Sequence, residues 1–203
     1  MKKDILLFLL LIYIILPTTL FGAGESKIYH NKLNSCKLTK QFFNNYEPME
    51  FNSTNNLLYE SGKEPMYCGE KIVIKGVLLD ERCVPISDAK VYLWQAGCDG
   101  KYPYKPLRKM INKKKLNINN GSSFIGSGIA TTNNEGEFYF VTVYPNYKES
   151  INIRVQHREL GIMQTQLRMN KSEEFNQQED YQSEATKRYN FKIVMRGKTL
   201  KNY

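Results

Sequence analysis

Imidazole is scarce in this chain. His30 and His157 are the two histidines among 203 residues, so any metal site or proton relay that needs three is excluded. Cys36, Cys68, Cys83 and Cys98 show no Cys-x-x-Cys spacing, which argues against a structural zinc centre, since such centres draw closely spaced thiolate pairs. Outside the cytoplasm the same four thiols would instead form disulfides. Aromatic side chains are abundant by contrast, and 14 tyrosines with 10 phenylalanines give ample bulk for a packed core.

Charge narrows the classes of partner. The formal net charge is +9, but 22 of the 29 cations are lysine, whereas base and phosphate recognition favours the forked guanidinium of arginine. A solvated basic surface accounts for the charge better than a nucleic-acid footprint, so no nucleic-acid partner is expected. The densest run, Lys105 to Lys115, carries six cations around a few apolar residues. It reads as a solvated loop, with a short basic helix touching an anionic partner or a membrane surface as the alternative.

The elements that position these residues change character along the chain. Met1, Lys2 and Lys3 precede an apolar run from Ile5 to Leu16, and small residues follow at Gly22, Ala23 and Gly24. That is the layout of a signal peptide over residues 1–23, so an exported protein is expected, periplasmic or secreted. The apolar core is shorter than the roughly 20 residues that a bilayer requires. Extension through Phe21 keeps an uncleaved anchor as the alternative, with membrane contact through this N-terminal segment alone. Residues 24–65 are polar and aperiodic and form an N-terminal arm, with a short helix over Cys36 to Tyr46.

From residue 66 the period becomes two. Ile72 to Leu79, Ala89 to Ala96, Phe138 to Val143, Ile151 to Gln156, Met163 to Met169 and Tyr189 to Met195 read as strands, with turn residues between them. The excursion Asn170 to Glu184 is polar. Short alternating strands without a competing 3.6-residue period specify an all-β fold, an antiparallel sandwich over residues 66–198 with a tail at 199–203. Strand parity places Asn152, Arg154 and Gln156 on one face and Ile151, Ile153, Val155 and His157 on the other. Cys68 lies just before the first strand and Cys98 just after the second, at the same end of the domain. A Cys68–Cys98 bridge is therefore expected, which leaves Cys83 for Cys36 of the arm or free.

The run Gly76-Val77-Leu78-Leu79-Asp80-Glu81-Arg82-Cys83-Val84-Pro85-Ile86-Ser87-Asp88-Ala89-Lys90-Val91-Tyr92-Leu93-Trp94-Gln95-Ala96 is more specific than a generic sandwich pattern. It resembles the opening block of the intradiol ring-cleavage dioxygenases, above all the protocatechuate type. Gly100-Lys101-Tyr102, the block from Gly128 to Pro145 and the closing strand from Tyr189 to Gly197 follow in the family's order. The resemblance implies an intradiol-type β-sandwich and, for an active member, Fe(III) held by two tyrosinates and two histidines. Phenolate is a hard anionic donor that suits ferric iron, and the metal then acts as Lewis acid and template for a bound catecholate. The two tyrosine positions fall on Tyr102 and Tyr147. The two histidine positions fall on Asn152 and Arg154, and the family's arginine falls near Glu149, which also departs.

An arginine cannot ligate a metal and carries a permanent positive charge. The resemblance therefore implies a retained scaffold in which the iron site is dismantled, so that no cofactor is expected. The pocket of Tyr102, Tyr147, Asn152 and Arg154 would keep a binding role toward a small aromatic or anionic ligand or a protein partner. Two other readings stand beside it. One is an active Fe(III) dioxygenase acting on a catechol-type ring with an atypical site in which Tyr102 and Tyr147 remain ligands. The other is an extracytoplasmic adhesion or structural module.

Overall fold

Alternating burial along each strand separates an inner face from an outer one. The computed structural model describes residues 35–59, 62, 64–109, 111–118, 121–145, 150–169 and 186–197. The strands are β1 (Lys71–Asp80), β2 (Lys90–Trp94), β3 (Ser127–Thr131), β4 (Glu137–Val143), β5 (Ile151–His157), β6 (Gly161–Leu167) and β7 (Lys187–Met195). They form a three-stranded sheet in the order β4-β1-β7 and a four-stranded sheet in the order β3-β2-β5-β6. Ile72, Ile74 and Leu78 of the first sheet meet Val91, Leu93, Ile151, Ile153 and Val155 of the second in a common apolar core. The expected β-sandwich is thus present. It is antiparallel except at one seam, where β7 runs parallel to β1 with Ile72 opposite Lys187 and Asp80 opposite Met195. Parallel neighbours need a long crossover, and here the rest of the sandwich lies between the two strands in the chain.

One interior glycine follows from close packing. Gly76 sits in the middle of β1, and the Phe138 ring of β4 occupies the space a Cβ would need. Gln95 of the Trp-Gln-Ala motif is fully buried and ties the sheets together. Its Nε2 donates to the Val143 carbonyl (2.9 Å) and its Oε1 accepts from Thr142 Oγ1 (3.1 Å).

The arm corrects one expectation. Cys36 to Tyr46 forms no helix but runs extended over both sheets, its N–H groups donating to strand and loop carbonyls: Cys36 to Glu81 (2.9 Å), Thr39 to Val194 (3.1 Å) and Phe42 to Gln164 (2.9 Å). The stretch has no apolar stripe of helical period, so its backbone donors find partners on the sandwich rather than within a helix. Further on, Leu57 and Leu58 are buried within the core itself. Two disulfides secure the chain. Cys68 and Cys98 are bridged as expected, with Cα atoms 5.9 Å apart, and Cys36 joins Cys83 at 5.2 Å, pinning the start of the described arm to the β1–β2 loop. The described residues of the run, 105–109 and 111–115, form a loop with a 3-10 turn at Lys113–Lys115, where Asn112 Oδ1 accepts from the Lys114 N–H (3.1 Å).

Candidate functional site

The outer face of the four-stranded sheet is where the chemistry-bearing residues gather. Register sets Trp94 opposite Asn152, and Asn152 opposite Gln166; the next row holds Tyr92, Arg154 and Gln164. Because side chains alternate, all six project from the sheet face away from the core. An outer face of this kind is normally solvated. Here the arm and the loop after β2 cover it instead.

Tyr102 belongs to that loop. Its N–H donates to the Lys115 carbonyl (2.8 Å) and its carbonyl accepts from the Asn117 N–H (3.0 Å). The side chain is buried, packed with Trp94 and Ala96, and Tyr46 of the arm lies flat on its ring, with centroids 4.6 Å apart and planes within 5°. Tyr104 follows at 5.8 Å from Tyr102. Burial pushes the Tyr104 phenol well above its usual range, and the negative potential of Tyr102 and Glu47 acts in the same direction. At neutral pH it is a hydroxyl, not a phenolate.

Arg154 does not stand free. Its Nη1 donates to the Glu47 carboxylate of the arm. The guanidinium also lies 4.2 Å above the Tyr92 ring and 5.3 Å from that of Phe51, a geometry in which the ring quadrupole favours the cation. Asn152 is fully buried and both ends of its amide are engaged. Nδ2 donates to the carbonyls of Trp94 (3.2 Å) and Ser150 (3.4 Å), and Oδ1 accepts from Gln166 Nε2 (3.2 Å).

Of the residues predicted from sequence, Tyr102, Asn152 and Arg154 thus share one covered face, linked through Trp94, Tyr104 and Glu47. Tyr147 lies outside the described residues, as does His30. His157 ends β5, and its Nδ1 accepts from the N–H groups of Glu159 (3.2 Å) and Leu160 (3.3 Å), so it braces the β5–β6 turn. Sequence reasoning missed Tyr46, Glu47 and Phe51, because nothing in an aperiodic polar arm signals which side chains fold back across a sheet. Among the described residues, no cluster of three His, Cys, Asp or Glu side chains is placed to hold a metal. Four buried side-chain polar atoms have no hydrogen-bond partner among the described residues: Trp94 Nε1, Tyr104 Oη, Arg154 Nε and Gln164 Nε2. All four belong to this one region, and all carry a hydrogen to donate.

No family model matches the chain. A Rickettsia conorii protein provisionally named as a dioxygenase is 46% identical over 214 residues, covering 100% of both chains. The beta chain of protocatechuate 3,4-dioxygenase from Burkholderia cepacia is 31% identical over 98 residues, which span 48% of this chain and 37% of that protein. Among solved structures, an intradiol ring-cleavage dioxygenase from Tetranychus urticae superposes with a TM-score of 0.58 at 16% identity, covering 79% of this chain and 95% of the other. That likeness concerns the fold.

Proposed function

The chain belongs to the intradiol ring-cleavage dioxygenase family, and from that premise we propose that it is an exported member whose family iron site is degenerate and whose remaining use is binding. The observation that carries this reading is the state of the two positions where the family has its histidines. A ligand to Fe(III) must offer a free lone pair. The Arg154 guanidinium offers none and is paired with Glu47. The Asn152 amide nitrogen donates its hydrogens to two carbonyls, and its oxygen, already accepting from Gln166, is a neutral amide donor that replaces the imidazole of the family's site. Of the family's donor set only the Tyr102 phenol remains among the described residues, sandwiched against Tyr46. These residues do not fit the family's ferric centre, and no step of ring cleavage follows from them.

What they do fit is an acceptor. Buried donors without partners cost about 1–3 kcal/mol each when they stay unmade. Arg154 Nε, Gln164 Nε2, Trp94 Nε1 and the Tyr104 hydroxyl suit a small anionic or aromatic ligand rich in oxygen. Export rests on the charged start and the apolar run from Ile5 to Leu16, and the pairing of all four cysteines agrees with an oxidising compartment.

Iron quantification and visible absorption of protein produced with ample iron test the reading. The expected product is colourless, substoichiometric in iron and inert toward catechol and protocatechuate. A visible charge-transfer band that disappears in Tyr102→Phe would overturn it in favour of an active enzyme with an atypical site. N-terminal sequencing of the exported protein is expected to place the cut near residues 22–24, and a chain starting at Met1 would mean an anchor.

A further inference from the structure

The arm that closes the site has an outer side of its own. Residues 45–49 run beside residues 105–108: the Met49 N–H donates to the Lys105 carbonyl (2.8 Å), the Leu107 N–H donates to the Glu47 carbonyl (2.7 Å), and Pro48 and Pro106 form a bridge between them. Arg108 Nη1 adds a bond to Asn45 Oδ1 (3.0 Å). The two segments are thus one ribbon, and the Lys113–Lys115 turn joins it where Lys115 Nζ approaches the Tyr46 ring at 5.8 Å. Glu47 reaches Arg154, while large apolar side chains of the ribbon stay exposed, Met49 at 55% and Leu107 at 53%, with Phe43 at 73% in the arm just before it. Around them stand Lys105, Arg108, Lys109, Lys113 and Lys114, all exposed. From Gly100 to Asn134 the chain contains no carboxylate; the ribbon's own acid, Glu47, is taken up by Arg154, and Glu50, exposed beside Met49, is the neighbouring one.

We infer that this ribbon is a docking surface for an anionic lipid bilayer, separate from the N-terminal segment. One observation selects a bilayer over a soluble polyanion. Cations alone would suit either, since both release counterions. Protruding Phe, Met and Leu side chains gain nothing from a sugar-phosphate or polysaccharide chain, whereas a bilayer interface takes apolar side chains in among its headgroups while lysines meet anionic lipid. The charge is also presented as that geometry requires, because Lys105, Lys109, Lys113 and Lys114 make no ion pair among the described residues.

The test is co-sedimentation of the exported full protein with vesicles of phosphatidylcholine, alone or with 30% phosphatidylglycerol (a composition of about that order). Two variants are compared, K105Q/K109Q/K113Q and M49S/L107S. All the changed residues are exposed, and unchanged thermal unfolding verifies that both variants fold. Since every protein has the same N-terminus, differences among them report this ribbon and not residues 1–34. Wild type is expected to prefer the anionic vesicles. The lysine variant loses affinity on the order of a hundredfold, about fivefold per cation, and the apolar variant loses about tenfold, a loss that persists when salt screens the charges. Equal binding of wild type to both vesicles, or lysine-variant binding equal to wild type, overturns the inference. So does tight binding of heparin together with an unaffected M49S/L107S variant, which would assign the ribbon to a soluble polyanion.

Discussion

Removing Glu47 strands a cation that the fold holds beneath its own arm. Two unit charges about 4 Å apart attract by about 4 kcal/mol at an effective dielectric near 20. The Arg154 side chain is 23% exposed and that of Glu47 16%, so water reaches both and roughly half of that attraction survives. Glu47→Ala is therefore expected to cost about 2 kcal/mol. Arg154→Ala costs about 3 kcal/mol, because it also removes the contacts with the Tyr92 and Phe51 rings, worth about 1 kcal/mol together. The double variant should be no less stable than Arg154→Ala, which gives a coupling energy of about 2 kcal/mol. Urea unfolding of the oxidised protein, followed by tyrosine and tryptophan fluorescence, measures all four corners of the cycle. Being largely covered, the pair should keep most of its coupling at high salt. A coupling below about 0.5 kcal/mol, the size typical of an exposed pair, would refute the description of Glu47 as the partner that closes this site.

The Cys36–Cys83 bridge spans 47 residues, and in the chain-entropy account a loop of that length stabilises by about 4 kcal/mol. Cys36→Ser/Cys83→Ser should lower the urea midpoint accordingly, and an unchanged midpoint would mean that the bridge does not restrain the arm. Glu81 offers a pH readout: its carboxylate accepts the Gly197 N–H, which holds its pKa below the ordinary 4.5, with Arg82 and Arg196 acting the same way. A depressed folded pKa contributes stability above the unfolded value, lost as pH falls through the folded one. NMR titration should find Glu81 ionised at pH values where exposed glutamates are half protonated, and an ordinary titration would contradict that bond.

Period-two alternation was enough to place six of the seven described strands, because a half-buried sheet imposes its side-chain pattern on each strand locally; β3 (Ser127–Thr131), short and opening on Ser-Gly, was missed, since its pairing with β2 and not its own pattern makes it a strand. Tyr189 to Met195 displayed its alternation, but not that β7 lies parallel to β1, since pairing partners are chosen between segments and not within them. The Trp-Gln-Ala motif and the identities of Asn152 and Arg154 were likewise legible, for each is carried by a residue at a strand position. Parity alone assigned Arg154 to the face opposite Ile153. The Cys68–Cys98 bridge followed from which strand ends share one end of the domain, although the two strands belong to different sheets. Tertiary structure alone decided what meets Arg154. Glu47 is 107 residues away in the chain, in a segment without period, and its partner is fixed by where the arm crosses the sheet. The same holds for Tyr46 on Tyr102 and for Met49 beside Lys105. Local sequence carries the free energy of forming a strand, whereas the covering of a site depends on long-range contacts that exist only after the sheets have packed.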